Sequence, residues 1–480
     1  MDGPLVAPAR ITVKNPLKSE PKSEMAAIIL AAGQGKRMKS KLVKVLHPLA
    51  GMPMLFYVLD LVDRLEIPKV FVIVGHQADR VTQAVSGRRV QCLLQDPPLG
   101  TGHAVLQAKE ELKDFDGAVL ILSGDTPLLR EQTIQRLWEA HQSEGATVTL
   151  LTAKRAAPYG YGRIIRKEGG ALDRIVEEKD ANAAERLIQE VNTGVYIIKA
   201  SFLFEALGKV KPDNLQQEYY LTDVARIAVQ EGARLASCEG DFEEVIGINS
   251  RAEIAAAEAV LRKRINAHWM AEGVTLIDPA QIRIDAAVTI GRDSVLHPGV
   301  TLEGKTQVGE DCVLYPSRIK NSRLGQGVVI KDHCLIEEAE IESEVSVGPF
   351  AHLRPGTLLR KGAKVGNFVE IKKSELGEGS KANHLTYLGD TVVGKGVNIG
   401  AGTITCNYDG RKKYQTIIED EVFIGSDTQL VAPVRVGARS LIAAGSTITR
   451  NVPPDTLAIS RVKQENKEGW TKKRSSKGTP

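Results

Sequence analysis

The chain has 480 residues, enough for about three domain-sized units. Lys and Arg number 63 against 59 Asp and Glu, and the resulting net charge of +4 excludes a general nucleic-acid or membrane-surface polyelectrolyte. Five scattered cysteines, odd in number and without a C-x-x-C pair, argue against a disulfide framework and a zinc site and fit a reducing compartment.

Residues 1–24 are rich in Pro and Lys and lack an apolar h-region, so they read as a disordered extension and not as a secretory signal. Apolar stretches such as Met25–Ala32 are too short to span a bilayer. Up to about residue 250, short apolar runs alternate with helix-like segments. The runs Ala26–Leu30, Val70–Val74, Ala118–Leu122, Thr147–Thr152 and Val195–Ile198 are predicted strands; Met54–Leu65, Gly102–Lys113 and Arg130–Ser143 are predicted helices. This alternation implies an α/β domain (25–250) with a mainly parallel sheet, whose ligands lie beyond the carboxyl ends of the strands. Arg251–Ala271 has no Gly or Pro and reads as one long connecting helix, ended by Gly273; with its flank it forms a linker (251–273) before a third region, 274–480.

From about residue 285 the period becomes six. Apolar residues stand at Ile290, Leu296, Leu302, Val308 and Leu314; at Leu324, Ile330 and Ile336; at Val347, Leu353, Leu359, Val365 and Ile371; and at Ile424, Leu430, Val436, Ile442 and Ile448. Gly often follows, as in Val308-Gly309. Such hexapeptide repeats build a parallel β-helix in which each apolar residue points inward and small residues turn the corners. A flexible linker lacks so fixed an apolar beat. The frame breaks at Lys320–Arg323, Leu376–Leu388 and Ile404–Val422, which are expected to be surface insertions.

The chemistry begins at Leu30-Ala31-Ala32-Gly33-Gln34-Gly35-Lys36-Arg37-Met38, a Gly-rich turn directly after a strand. Backbone N–H groups and the two cations there can approach phosphates. Met38 stands where a dinucleotide fingerprint needs Gly, and the P-loop spacing is absent. Lys44 adds a cation, though it reads equally as a solvated helix charge. Leu99-Gly100-Thr101-Gly102 is a second small-residue turn. Asp125, after the strongest buried strand, is either a helix cap or a Mg²⁺ ligand. In the repeat region His384 is the side chain best suited to take a proton near pH 7.

These stretches, with Gly160-Tyr161-Gly162-Arg163, Glu177-Glu178-Lys179-Asp180, Asn192-Thr193-Gly194 and Gly247-Ile248-Asn249, resemble the sugar-1-phosphate nucleotidyltransferases. With Asn367–Lys373, Gly379–Asp390 and Asn398–Tyr408 added, the resemblance narrows to the bifunctional uridylyltransferase/acetyltransferases of amino-sugar-1-phosphates and runs from about Met25 to Trp470. It implies a Rossmann-like α/β nucleotidyltransferase domain followed by a left-handed parallel β-helix. In the first, Leu30, Ala31, Ala32, Gly33 and Lys44 would hold the UTP phosphates, and Gln95, Gly100 and Thr101 the uracil and ribose. Ser123, Gly124 and Asp125 would line the same cleft. Gly162, Glu177 and Asn192 would hold the amino sugar, and Asp125 and Asn249 would ligate Mg²⁺. The spacing from Gly162 to Glu177 is one residue longer than the family pattern, and Asp96-Pro97-Pro98 is stiffer than usual. In the second domain His384 would be the general base, Arg354, Lys372, Tyr387 and Asn398 would bind the acetyl acceptor glucosamine-1-phosphate, and Ala401, Asn407, Tyr408, Ser426, Ala444 and Arg461 would bind acetyl-CoA. The product, N-acetylglucosamine-1-phosphate, would then be uridylylated. The resemblance further implies a cytoplasmic homotrimer without nucleic-acid partners or membrane insertion. Two other plans share this layout: a monofunctional nucleotidyltransferase with a regulatory β-helix, and a non-enzymatic exchange-factor subunit. Retention of Gly33, Gly35, Lys44 and Asp125 speaks against the latter, and the His384–Tyr387 and Asn398–Tyr408 stretches against the former.

Overall fold

The computed structural model describes residues 24–475, so the extension expected at 1–24 lies, apart from Glu24, outside the described residues. The chain divides into two compact units, one up to Leu261 and the other from Arg262.

In the first unit the apolar runs become β1 (Met25–Leu30), β2 (Lys69–Val74), β3 (Gln91–Leu94), β4 (Ala118–Ser123), β5 (Val148–Lys154), β6 (Arg163–Arg166), β7 (Leu172–Val176), β8 (Glu190–Lys199) and β9 (Leu235–Glu239). The sheet order is β9-β5-β8-β4-β1-β2-β3, with β6 pairing β8 and β7. Pairing is parallel except where β8 runs antiparallel to β4, β5 and β6 and in the β6–β7 hairpin. Alternate residues of each strand serve two cores. Met25, Ala27 and Ile29 pack with Leu55, Val58 and Leu59 of α1 (Met54–Arg64) and with Ile134 and Leu137. Ala26 and Ile28 pack with Val105, Leu203 and Val224 on the other face. Helices on both faces thus bury the sheet.

Two predicted elements differ. Strand β8 begins at Glu190, five residues before the predicted run, and carries Asn192 inside the sheet; its register with β5 shifts between Asn192 and Tyr196, where Gly194 has φ +77°. The predicted helix Gly102–Lys113 is α-helical only over Thr101–Leu106. After that the backbone bonds tighten to i→i−3, from Gln107 N to Ala104 O (3.2 Å) and from Ala108 N to Val105 O (3.1 Å), and end in a 3₁₀ turn at Glu110–Leu112.

The helix Arg251–Ala271 forms as expected and is opened by a capping arrangement. Ser250 Oγ accepts from Glu253 N (3.3 Å), and Glu253 Oε2 accepts from the N–H of Asn249 (2.7 Å). Ala257 and Leu261 join the first unit's core and Trp269 the second's, so the units divide inside this helix and not at its ends. Gly273 ends it with φ +90°.

The second unit is a parallel β-helix of three faces, with sheets of 11, 10 and 9 short strands. Every apolar residue of the predicted six-beat is buried in one continuous core. The corners are turned by glycine in some coils, with Gly299, Gly327, Gly362, Gly379, Gly396 and Gly402 at positive φ, and by larger residues in others. Asp293, Asp311, His333, Phe350, Phe368 and Leu385 hold positive φ there. Gly309 serves close approach instead: a Cβ on it would meet the Gly325 backbone at 2.6 Å.

Of the three expected insertions one is real. At Lys320–Arg323 the coil is shorter, since Ile319 and Leu324 are successive inward residues five apart. Leu376–Leu388 keeps the frame, with Ala382 as its inward residue, so His384 ends a regular strand (Lys381–His384) and lies in no inserted loop. Only residues 407–415 loop out, between Ile404–Cys406 and Thr416–Ile418, closed by an antiparallel bridge of Tyr408 with Lys413.

Candidate active sites

In the first unit the phosphate turn follows β1 at the carboxyl edge of the sheet, as a parallel sheet requires. It leads not into an α-helix but into one 3₁₀ turn, Lys36–Met38. A second 3₁₀ turn, Lys44–Leu46, presents Lys44. Its ammonium is ion-paired with the Asp125 carboxylate and donates to Asn249 Oδ1 at 3.0 Å. Asp125 stands just past β4. Ile248 N donates to the Asp125 carbonyl (3.0 Å), which ties the Asn249 loop to it. Thus three residues far apart in sequence converge on one cation position. Among the described residues no cluster of three or more His, Cys, Asp or Glu side chains could hold a metal.

The rest of this site has three parts. Gly124 N donates to the Leu30 carbonyl (2.9 Å), fixing Ser123–Asp125 beside Leu30–Gly33. Gln95 is buried, and its Nε2 donates to Gly100 O (2.9 Å); Thr101 Oγ1 accepts from Leu221 N (3.1 Å). The Asp96–Pro97 bond beside it is cis. Gly162, Glu177 and Asn192 meet as the resemblance requires: a Cβ on Gly162 would lie 3.5 Å from Glu177 Oε2 and 3.6 Å from Asn192 Cβ. Between Gly162 and Glu177 the β6–β7 hairpin shifts register at Ile165/Arg166, and Gly169 and Gly170 in its turn hold positive φ. Burial raises the Glu177 carboxyl above the usual range, opposed by the Thr222 hydroxyl, which donates to it at 3.2 Å. Burial likewise raises Tyr196 beside it.

In the β-helix the candidate residues fall into two groups. His384, Ala401, Ser426 and Ala444 occupy one equivalent corner position in successive coils, as the registers Ala382–Ile399, Ile399–Ile424 and Ile424–Ile442 fix. Arg461, one coil further, donates from Nη1 to the Ala444 carbonyl (2.8 Å). His384 Nδ1 lies 2.9 Å from Asn367 Oδ1, an acceptor, which places the ring proton on Nδ1 and leaves Nε2 bare. The second group lies on the adjoining face. Arg354 pairs with Glu370 (2.7 Å), and the Tyr387 hydroxyl and the Asn407 amide both lie over Gly389. Asn407 Nδ2 donates to Asp390 Oδ2 (2.6 Å), so Asn407 lies beside Tyr387 on this face and outside the corner column. Tyr408 is exposed on the loop, and Asn398 stands on the outer side of the face that carries His384.

Sequence reasoning missed Lys413. It comes from the inserted loop to Lys372 and holds that ammonium below the usual lysine range, chiefly by their mutual contact. Arg354, Lys372 and Lys413 make a cluster suited to a phosphate. Only the folding of the loop back onto the face reveals it.

The fold and these two clusters define a nucleoside-triphosphate transferase domain joined to a hexapeptide-repeat transferase domain. A MobA-like NTP transferase domain matches residues 27–193, and the bacterial transferase hexapeptide (six repeats) matches residues 415–450. The bifunctional protein GlmU of Pelobacter propionicus is 53% identical over 449 residues, covering 93% of this chain and 98% of that protein. The proteins of the same name from Trichlorobacter lovleyi (51% over 458 residues, 94% and 99%) and Exiguobacterium sibiricum (50% over 446 residues, 92% and 99%) align as fully. The chain belongs to the GlmU family and is a bifunctional transferase. No described helix is long and apolar enough to cross a membrane.

Proposed function

We propose that the chain makes UDP-N-acetylglucosamine in two steps. The β-helix acetylates glucosamine-1-phosphate with acetyl-CoA, and the first unit transfers UMP from UTP to N-acetylglucosamine-1-phosphate, releasing pyrophosphate. Uridylyl transfer is an in-line displacement at the α-phosphate and needs positioning and cations more than a protein nucleophile. Leu30–Gly33 and Lys44 would receive the phosphates, Gln95, Gly100 and Thr101 the uridine, and Gly162, Glu177 and Asn192 the amino sugar. Asp125 and Asn249 fit Mg²⁺: two hard oxygens already converge on one cation, the Lys44 ammonium, and Mg²⁺ commonly takes one or two protein oxygens and completes its shell with water and phosphate. Bound there, the ion would offset phosphate charge.

In the β-helix the bare Nε2 of His384 is the atom to take a proton from the attacking amine. Arg354, Lys372 and Lys413 would hold the sugar phosphate, with Tyr387, Asn398 and Asn407 near the acceptor. The observation that carries the acetyl half is the column from His384 through Ala401, Ser426 and Ala444 to Arg461. At about 4.8 Å per coil it measures roughly 19 Å, with a base at one end, small residues along it and a cation at the other, as an extended thioester arm ending in phosphates requires.

A convex corner cannot enclose a substrate within one chain. Beside His384 runs an exposed ridge, Phe350, Phe368 and Leu385, with the two phenyl rings stacked at 5.4 Å. Both features support a homotrimer in which a neighbour closes each acetyltransferase site. Five free cysteines suit the cytoplasm. The test is a product analysis with glucosamine-1-phosphate, acetyl-CoA, UTP and Mg²⁺ together, in which UDP-N-acetylglucosamine, coenzyme A and pyrophosphate should all form. Unconsumed acetyl-CoA refutes the acetyl half. Unconsumed UTP with N-acetylglucosamine-1-phosphate supplied refutes the uridylyl half.

A further inference from the structure

Gln95 directly follows β3, its own N–H donating to the Val74 carbonyl at 2.8 Å, and the residue is 5% exposed. A primary amide has two N–H donors and one oxygen that can face a ligand. Both donors are already committed here. Nε2 donates to the Gly100 carbonyl at 2.9 Å and lies 3.2 Å from His103 Nδ1. The carbonyl can only accept, so it fixes which end of the amide faces it. Gly100 can come this close because its φ is +106° and a Cβ there would strike the Tyr219 carbonyl at 2.7 Å. A neutral imidazole accepts at one nitrogen only, and Nδ1 takes the second N–H when the ring proton sits on Nε2. Nε2 then faces the Gln107 amide nitrogen at 3.2 Å, itself a donor to the His103 carbonyl at 2.9 Å, so the two glutamines compete for the ring. Among the described residues nothing donates to Gln95 Oε1, and that atom is not sealed from solvent.

We infer that His103 is a specificity-determining positioning residue: by holding the Gln95 amide it leaves the nucleotide site a lone acceptor, which selects a pyrimidine base bearing a proton on N3. This inference rests on the reading that places the base of UTP at Gln95. Uracil presents N3–H to Oε1. Cytosine in the same pose sets the N3 lone pair against Oε1, and its N4 amino group reaches that oxygen only by sliding out of the pose. Without His103 the amide loses one of its two anchors, and only the Gly100 carbonyl then opposes a turn of its NH₂ toward the base.

The test uses the full-length protein with N-acetylglucosamine-1-phosphate, comparing kcat/KM for UTP and for CTP in wild type, Gln95→Ala, His103→Leu, His103→Gln and His103→Lys, with melting curves to show that each folds. Sites built to hydrogen-bond a substrate N–H reject analogues lacking it by about 10⁴–10⁵. The UTP:CTP ratio should fall by at least about tenfold in His103→Leu, and further in His103→Lys, whose head only donates. His103→Gln, which keeps an acceptor, should stay nearer wild type. A ratio within threefold of wild type in whichever of the Leu and Lys variants fold, while Gln95→Ala has lost UTP affinity, overturns the inference about His103 alone. An unchanged KM for UTP in Gln95→Ala overturns the placement of the base beneath it.

Discussion

Lys44 is a tethered cation seated between the two oxygens that Mg²⁺ would use, and this has a measurable consequence. A metal entering without nucleotide must displace an ammonium bonded to Asp125 and, at 3.0 Å, to Asn249. Both charged side chains are mostly buried, 13% and 16% exposed, so the pair is weakly screened. A charge-assisted hydrogen bond contributes about 1.5–3 kcal/mol net, which at 1.4 kcal/mol per factor of ten is roughly 10- to 150-fold in affinity. Lys44→Met should therefore tighten binding of Mn²⁺, in the absence of nucleotide, by that factor. Titration of free Mn²⁺ by electron paramagnetic resonance measures it directly. Removing any nearby positive charge raises cation affinity somewhat, so Lys41→Met, three residues away and exposed, is the control. Equal tightening in the two variants would mean that a diffuse field acts and not occupancy of one position. No tightening in Lys44→Met would refute the seating itself. With UTP present the order should reverse: on the proposed reading Lys44 would then hold the phosphates, and the variant should lose uridylyl transfer.

Three further outcomes are expected. Asp125→Ala should nearly abolish uridylyl transfer and spare acetyl transfer, whereas His384→Ala should cut acetyl transfer by about 10²–10⁴ and leave uridylylation of supplied N-acetylglucosamine-1-phosphate intact; assaying both half-reactions in both variants decides, and loss of both in either folded variant would show coupled sites. Glu177 carries a raised carboxyl, so its folded form binds a proton more readily than its unfolded form and stability is lost as pH rises through the folded value. Glu177→Gln should hence melt higher than wild type at neutral pH, with the gain vanishing below the ordinary carboxylate range, and a gain independent of pH would exclude burial of charge as the cause. Phe368→Asp with Leu385→Asp should convert a trimer to monomers by light scattering and reduce acetyl transfer while sparing uridylyl transfer; a trimer that survives both changes has its interface elsewhere.

How far the sequence was legible depended on whether a feature was periodic or assembled. The buried strands of the first unit announced themselves as apolar runs, and Arg251–Ala271 by the absence of Gly and Pro. The antiparallel entry of β8 did not, because an inner strand buried on both faces looks the same in either direction. In the β-helix, the beat was read where Ile, Leu or Val recurred at a spacing of six, and lost where a coil shortens, as between Ile319 and Leu324, or where an inward residue is weakly apolar. Ala382 and Thr405 are both inward and buried, yet neither marks a hydrophobic beat, so an intact frame looked like an insertion around His384.

The same distinction governs the sites. Gly33, Lys44, Asp125 and His384 stand in dense local motifs, and their residue types alone suggest phosphate, metal and proton chemistry. What assembled them was not local. Asn249 reaches Lys44 across 205 residues, held by a capping Glu253 whose role is visible only once the helix has formed. Lys413 sits in a polar loop whose sequence, Asp409-Gly410-Arg411-Lys412-Lys413, reads as a solvated turn. Asp409 accepts from Arg411 N (2.7 Å) and Lys412 N (2.6 Å), which closes the turn and sends the next lysine back over the face to Lys372. Cations gathered this way repel one another, a repulsion that Asp390 offsets in part at Lys372 and that a bound phosphate would offset further. Lys413 therefore adds a third positive charge to the Arg354 and Lys372 that a motif could supply.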